Sequence, residues 1–171
     1  LFVDCEAFLD DAEELHKLFV RTTAFDRALK ALENDQTLCI IGDPGVGKSI
    51  TSKMLVLHYA SHGYRVRYTS NVTDLGSLKA SLRIDDKVKE VILLDDCFGQ
   101  AYFEMKSAQS SELISLIKYV KRRPNKILIL NSRITIFQEA RQRQRDLDSC
   151  IERKDFKIHL LDINKLSSEE K

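Results

Sequence analysis

The residues best suited to chemistry form one short segment, Gly42–Ser49, which reads GDPGVGKS. This segment matches the pattern G-x-x-x-x-G-K-S/T at every fixed position, follows an apolar run and precedes an amphipathic stretch. Gly45 and Gly47 permit backbone angles that other residues avoid, so that successive N–H groups can point inward at a phosphate. We expect Lys48 to reach the β and γ phosphates of a nucleotide, and the Ser49 hydroxyl to bind Mg²⁺. The residues predicted to contact the nucleotide are Gly42, Asp43, Pro44, Gly45, Val46, Gly47, Lys48, Ser49, Ile50 and Thr51.

Two consecutive carboxylates follow a second apolar run, Val91–Leu94. A nucleoside triphosphate site needs a carboxylate that holds Mg²⁺ and a group that orients the attacking water. We therefore predict that Asp95 supports the metal together with Ser49, and that Asp96 activates the water. Because the carboxyl ends of parallel strands meet at one edge of a sheet, both aspartates would face the phosphate loop. The alternative is a pair of acids that caps a helix or closes a turn.

A third apolar run, in the segment Lys126–Arg133, ends in polar residues that include Asn131 and Arg133. A polar residue at this position can sense the γ phosphate, and Arg133 can neutralise the charge that develops on it. We accordingly predict Lys48, Asp96 and Arg133 as the catalytic residues. The alternative for Arg133 is an ordinary surface arginine after a strand.

The elements that must position these residues are five apolar runs, which alternate with stretches of helical periodicity. The runs lack the alternation of polar and apolar residues seen in half-exposed strands, which indicates a parallel sheet covered on both faces. We therefore predict an α/β fold: a doubly wound, mostly parallel five-stranded sheet with helices on both faces. The predicted strands are Thr37–Ile41, Arg65–Tyr68, Val91–Leu94, Lys126–Leu130 and Lys157–Leu161. The predicted helices are Ala24–Leu32, Ser49–Ser61, Leu75–Leu82, Ser111–Tyr119 and Ile136–Arg145.

The spacing of the motifs favours one class of nucleotide-binding core. One further strand, Arg65–Tyr68, fits between the phosphate loop and the two aspartates, which suits a P-loop ATPase with an inserted central strand. The guanine-binding motif N-K-x-D of GTPases is missing, because Asn125 and Lys126 lead into a predicted strand. An ABC-type signature motif is missing as well. The spacing thus predicts a P-loop NTPase core of the ASCE or AAA+-like type.

The composition excludes several other classes of protein. Of the 171 residues, 43% are hydrophobic and 31% are charged, which argues against a disordered tail, a collagen and a disulfide scaffold. The apolar runs are far shorter than the roughly 20 residues that span a bilayer, so we expect no membrane segment. The four cysteines are widely spaced and form no CxxC pair, which argues against a zinc site and favours a reducing, cytoplasmic setting.

Charge is unevenly distributed along the chain. Residues 118–145 hold nine basic residues and one acidic residue, whereas residues 1–35 hold nine acidic and four basic residues. One interpretation is that these are solvated helix faces and that the two segments attract each other within the molecule. The other is a surface that faces phosphates or a partner.

With these three motifs in order, the chain resembles a STAND-class P-loop NTPase, a class related to AAA+ and NACHT proteins. The resemblance covers about residues 15–165 and is greatest to the novel STAND NTPase group of bacterial proteins. The matching segments are Phe19–Leu29, Gly42–Ser49, Leu93–Gly99 and Leu130–Ala140. Two departures stand out. A glycine-arginine motif before the first strand is replaced here by Val20-Arg21-Thr22, and the second Walker B acid is an aspartate where AAA+ machines have a glutamate.

The resemblance implies ATP or ADP with Mg²⁺, a slow hydrolytic switch and nucleotide-controlled self-association. Many members of the class act in antiviral or stress signalling, with an effector domain before the ATPase and a sensor domain after it. On this basis we divide the chain into a helical lead-in (1–35), the NTPase core (36–163) and the start of a C-terminal helical lid (164–171). Because the chain begins without Met and ends at the lid, we expect it to be a piece of a longer protein.

We therefore expect an ATP-hydrolysing switch domain, and three alternatives remain. The basic segment 118–145 suggests a DNA-acting ATPase of the helicase-loader type, although it holds only two aromatic residues for base stacking. A second alternative is a module that binds nucleotide without hydrolysing it. A third is a small-molecule kinase, for which only the segment 99–110 is free to bind a substrate.

Overall fold

The computed structural model describes residues 2–82, 85, 87–99, 103–153 and 157–165. Its strands are β1 (Thr37–Gly42), β2 (Arg65–Thr69), β3 (Glu90–Leu94), β4 (Lys126–Arg133) and β5 (His159–Asp162). Its helices are α1 (Phe2–His16), α2 (Thr23–Asp35), α3 (Lys48–Ser61), α4 (Leu75–Ser81), α5 (Ser107–Lys121), α6 (Ile134–Arg143) and α7 (Arg145–Glu152). A single 3₁₀ turn, Val72–Asp74, precedes α4. Among the helices of these residues, none combines the length and the apolar character needed to cross a bilayer.

The five strands form one sheet in the order β2-β3-β4-β1-β5, and every neighbouring pair is parallel. The predicted α/β fold is therefore confirmed. In sequence Arg65–Tyr68 lies between the two motifs, but in the sheet β2 lies at the edge and pairs with β3. The strand between the phosphate-loop strand and the aspartate strand is β4. Burial agrees with this order: all residues of β4 except Arg133 are buried, whereas β2 begins with an exposed residue.

Helices cover both faces of the sheet, which explains why the strands show no polar-apolar alternation. Side chains of β1 point alternately into two cores. Leu38 and Ile40 belong to the core under α1, α2 and α3, and Cys39 and Ile41 belong to the core under α4, α5, α6 and α7. All four cysteines of the chain are buried free thiols.

Two of the differences from the predicted boundaries concern β4 and the helix that follows it. The predicted helix Ile136–Arg145 is interrupted at Gln144, whose backbone leaves the helical region, and α7 then begins at Arg145. Ion pairs across the break stabilise it, because Arg141 contacts Asp148 and Glu152 at 2.5 and 2.6 Å. In addition, β4 continues past its apolar run, so that Asn131 and its polar neighbours lie within the strand and not after it.

Buried charges connect three strands at the amino end of the sheet. The Glu90 carboxylate is fully buried and accepts hydrogen bonds from Lys126 Nζ at 2.8 Å and from Arg67 Nη2 at 3.0 Å. Lys126 is fully buried as well, and its Nζ also donates to the Val88 carbonyl at 2.7 Å. Since the three residues lie on β2, β3 and β4, any shift of register between these strands would leave a charge buried without its partner.

We predict that Glu90→Gln lowers the free energy of unfolding by about 3 kcal/mol, because it leaves buried cations without a counter-charge. The measurement is urea denaturation at neutral pH. The matched control is Glu139→Gln, which removes a partly exposed i,i+4 pair with Arg143 at 2.8 Å and should cost less than about 1 kcal/mol. Equal losses in the two variants would contradict a special role for the buried network.

Candidate functional site

The glycine-rich loop connects the carboxyl end of β1 to the first turn of α3, as predicted. Gly45 and Gly47 have φ angles of +80° and +92°, in the region that side chains disfavour. Among the described residues, a Cβ atom at either position would meet nothing within 4 Å. The backbone angle, and not crowding, is therefore the reason for glycine at these two positions. Gly47 is the N-cap of α3, so the amino end of that helix opens onto the loop.

Gly42 is required for a different reason. A Cβ atom there would lie 2.9 Å from Val46 Cγ2 and 3.2 Å from Asn164 Oδ1. Asn164 follows β5, and its Oδ1 accepts a hydrogen bond from the Asp43 N–H at 3.0 Å. The sequence gives little sign of this contact, because 121 positions separate the two residues.

The Lys48 side chain folds onto the loop that it follows. Its Nζ donates to the Asp43 carbonyl at 2.7 Å, and the residue is buried. Burial lowers the pKa of Lys48, while the negative charge of Asp96 opposes that change and the positive charge of Arg133 adds to it. The charges of Lys48, Asp96 and Arg133 therefore influence one another.

The structure brings the two predicted metal ligands into contact, since Ser49 Oγ donates to Asp95 Oδ1 at 3.3 Å. Asp95 follows the last residue of β3, and its N–H donates to the carbonyl of Thr69 at the end of β2. Asp96 has a φ of +48°, an angle that aspartate tolerates better than most residues. Burial raises the pKa of Asp96, the Asp95 charge raises it further, and Arg133 and Lys48 lower it.

Asn131 connects these parts through its side chain, which is fully buried. Its Nδ2 donates to Asp95 Oδ1 at 2.5 Å and to Ser52 Oγ at 3.1 Å. Its Oδ1 accepts from the Asp96 N–H at 2.7 Å. Ser52 Oγ donates in turn to the Lys48 carbonyl at 2.9 Å. One amide therefore ties β4 to both aspartates and to the first turn of α3, a role that the sequence did not reveal.

Beside the phosphate loop lies an apolar groove of about 490 Å³. Its walls include Val20, Ile50 and Ile163, and the side of the loop itself at Val46. Val20 and Ile50 are 78% and 44% exposed, which is high for aliphatic side chains. The segment Val20-Arg21-Thr22 thus supplies Val20 and Thr22 to the groove, while Arg21 turns away to pair with Asp26 at 2.5 Å. A flat, largely apolar ring fits such a surface.

The donor atoms at the loop suit a hard divalent cation. Mg²⁺ prefers oxygen ligands and is usually held by one or two side chains, with phosphates and water completing its shell. The Ser49 hydroxyl and the Asp95 carboxylate form such a pair. Within the described part of the chain, no group of three or more His, Cys, Asp or Glu side chains is placed to hold a metal by itself.

Comparisons with known proteins agree with this geometry. The model of the family "Novel STAND NTPase 3" matches residues 19–171. In sequence the chain is 27% identical over 157 residues to the "Putative ATP-dependent RNA helicase" of Acanthamoeba polyphaga mimivirus, which covers 84% of this chain and 21% of the viral protein. In structure it is similar to a Walker-type ATPase of Pyrococcus abyssi, with a TM-score of 0.50, 14% identity, and coverage of 85% of this chain and 53% of that one.

A further structure, C. elegans PCH-2, has a TM-score of 0.47 and 15% identity, with coverage of 91% of this chain and 40% of that one. The likeness to the archaeal ATPase supports the fold assignment. The chain spans about a fifth of the viral protein and about half of the archaeal one.

We predict that Asn131→Ala lowers the free energy of unfolding by about 2–3 kcal/mol, because the Asp96 N–H and the Asp95 carboxylate lose a buried partner. Urea denaturation checks this. The control is Ser132→Ala at the next position, which is also fully buried but donates only to its neighbour's carbonyl at 3.2 Å. That change should cost no more than about 1 kcal/mol. A smaller loss for Asn131→Ala than for the control would contradict the role given to the amide.

Proposed function

Because this chain belongs to the novel STAND NTPase 3 family of P-loop NTPases, we propose that it binds ATP with Mg²⁺ and hydrolyses it slowly. The observation that carries the proposal is the contact between Ser49 and Asp95 at 3.3 Å, which joins the phosphate loop to the acidic end of β3. A loop that cradles phosphates and a carboxylate that supports their metal are the two parts that such a reaction needs.

In this proposal the triphosphate lies against the N–H groups of the loop and the amino end of α3. The contact residues are those expected from the motif, Gly42 to Thr51. The base lies in the apolar groove against Val20, Ile50 and Ile163. ADP would occupy the same positions without the γ phosphate.

Ser49 and Asp95 would hold the Mg²⁺. The bound cation would offset negative charge on the β and γ phosphates. Asn131 fixes the Asp95 carboxylate through its hydrogen bond at 2.5 Å, so that the oxygen facing Ser49 is already oriented.

Asp96 acts as the proton acceptor in the proposed hydrolysis. The oxygen of water attacks the γ phosphorus, and the proton of that water passes to the Asp96 carboxylate. The bond between the γ phosphorus and the bridging oxygen breaks, and its electron pair leaves with ADP. Lys48 and Arg133 neutralise the charge on the transferring phosphoryl group. A raised pKa makes Asp96 a better proton acceptor than an ordinary aspartate, while its shorter side chain favours slow turnover.

We extend the proposal to the longer protein of which this chain would be a part. There the core, residues 36–163, would act as a nucleotide-controlled cytoplasmic switch between effector and sensor domains, with self-association in the ATP state and a role in bacterial antiviral defence. The lead-in (1–35) and the start of a lid (164–171) would transmit the nucleotide state of the core, ATP or ADP, to the effector and sensor domains. Residues 166–171 of that predicted lid lie outside the described residues.

A second candidate is an ATPase that acts on nucleic acid, which the name of the viral relative favours. The structure weakens the basis for it, because several bases of the segment 118–145 have partners within the molecule. Lys126 is buried against Glu90, Arg141 pairs with two acids of α7, and Lys121 Nζ donates to the Asp35 carbonyl. Salt-dependent binding of DNA or RNA by the chain would support this candidate.

We predict that Lys48→Ala weakens ATP binding at least about tenfold in calorimetry, because one charged contact to the phosphates is lost. By contrast, Asp96→Asn should keep ATP binding while turnover falls at least about 100-fold. Lys87→Ala serves as the control, since it removes an exposed lysine near the opposite edge of the sheet. Normal binding in Lys48→Ala would refute the phosphate site, and normal turnover in Asp96→Asn would remove that residue from the mechanism.

We also predict that Val20→Ser weakens ATP binding about fivefold but leaves the affinity for inorganic tripolyphosphate unchanged, because only the base reaches the groove. The matched control is Leu160→Ser, which removes another exposed aliphatic side chain, outside the groove. If Val20→Ser weakened the binding of tripolyphosphate by the same factor as the binding of ATP, the groove would not hold the base.

A further inference from the structure

The segment that follows β5 contacts both halves of the proposed nucleotide site. Ile163 forms part of the groove wall, and Asn164 accepts the hydrogen bond from the N–H of Asp43, the second residue of the phosphate loop. Neither residue belongs to the loop, to the acidic end of β3 or to the end of β4. The motifs therefore give this segment no part in the reaction.

The sheet itself sets the position of Asn164. Strand β5 pairs with β1 in parallel, with Asp162 opposite Ile41. The chain then leaves the strand for a helical turn at Ile163, and this turn brings Asn164 next to Asp43. The Asp162 side chain then holds the Asn164 backbone, because its Oδ1 accepts from the Asn164 N–H at 3.0 Å. The pairing of β5 with β1 and the local turn after β5 thus position the Asn164 side chain at the loop.

Both polar backbone groups of Asp43 have partners, and Asn164 binds one of them. The Asp43 N–H donates to Asn164 at 3.0 Å, and its carbonyl accepts from Lys48 Nζ at 2.7 Å. The contact is also close, since a Cβ atom at Gly42 would lie only 3.2 Å from the Asn164 oxygen. Asn164 and Lys48 therefore hold Asp43 from both sides, through its N–H and its carbonyl.

We propose that Asn164 is a positioning residue for the phosphate loop, which sets nucleotide affinity by holding Asp43 in the orientation that receives Lys48. This inference rests on the proposed function, because it concerns the same nucleotide site. Asn164 acts on the phosphates through the loop and not on the base. Asn164 also connects the chain after β5 directly to the loop. A displacement of either segment would therefore move the other.

The test compares Asn164→Ala with the unaltered chain for binding of Mg·ATP and of inorganic tripolyphosphate, by calorimetry. The loss of one hydrogen bond to the loop should weaken both ligands by the same factor, about fivefold. KM for ATP should rise in proportion, while kcat changes less, because Asp96 and its partners are untouched. The matched control is Asn125→Ala, an asparagine at the opposite edge of the sheet, which should leave both affinities unchanged.

Each outcome has a defined meaning. Unchanged affinities in Asn164→Ala would overturn the inference and leave the proposed function intact. A loss for ATP without a loss for tripolyphosphate would also overturn it, because the residue would then act on the base through the groove. If the unaltered chain binds neither ligand while Lys48→Ala behaves identically, the proposed function fails and the inference fails with it.

A second measurement, amide hydrogen exchange, uses the unaltered chain and so does not depend on whether a variant folds. The Asp43 amide lies in an exposed loop, and its hydrogen bond to Asn164 should protect it from exchange with solvent in NMR spectra of the unaltered chain. Slow exchange supports the contact, and exchange as fast as that of an unprotected loop amide overturns the inference.

Discussion

The arrangement of the site depends on one buried amide, that of Asn131, at the point where three elements meet. A parallel sheet brings the ends of β1, β3 and β4 to one edge, but it does not by itself orient the side chains there. The two consecutive carboxylates repel each other, and Asp96 is held at a positive φ. The amide offsets the cost of this repulsion and of the strained backbone. Its NH₂ group donates to the Asp95 carboxylate, and its oxygen accepts from the Asp96 N–H. An apolar residue could fill the same space but would remove the partner of the Asp96 N–H and one donor to the Asp95 carboxylate.

The central strand β4 carries a polar anchor at each end. At its amino end Lys126 joins the buried network of Glu90, and at its carboxyl end Asn131 joins the two aspartates. Between them the strand is apolar and buried on both faces. Apolar packing alone tolerates a slip of register by two residues, because the side chains would return to the same faces. Polar contacts at both ends specify one register, and this register sets which residues of β4 lie beside the phosphate loop.

The sequence predicts those features that depend on local chemistry and not those that depend on distant pairing. The loop glycines are predictable because their positive φ angles are a property of the turn itself. The strands are predictable from runs of buried residues, yet their order is not: β2 follows β1 in the sequence but lies at the edge of the sheet, next to β3. Asn131 and Asn164 are ordinary polar residues in the sequence, and their roles come from partners 36 and 121 positions away.

Helix α1 lies before the residues that the family model matches, yet it packs on the same structure. Phe8 stacks on Tyr68 of β2 with ring centroids 4.5 Å apart, and Asp11 pairs with Lys53 of α3, the helix that the phosphate loop opens. The chain then passes from α1 into the wall of the apolar groove at Val20. A base in that groove would touch the segment that ends α1, while the phosphates would lie at the amino end of the helix on which α1 rests. Both halves of a nucleotide would therefore bear on the position of α1, through the groove wall at Val20 and through α3.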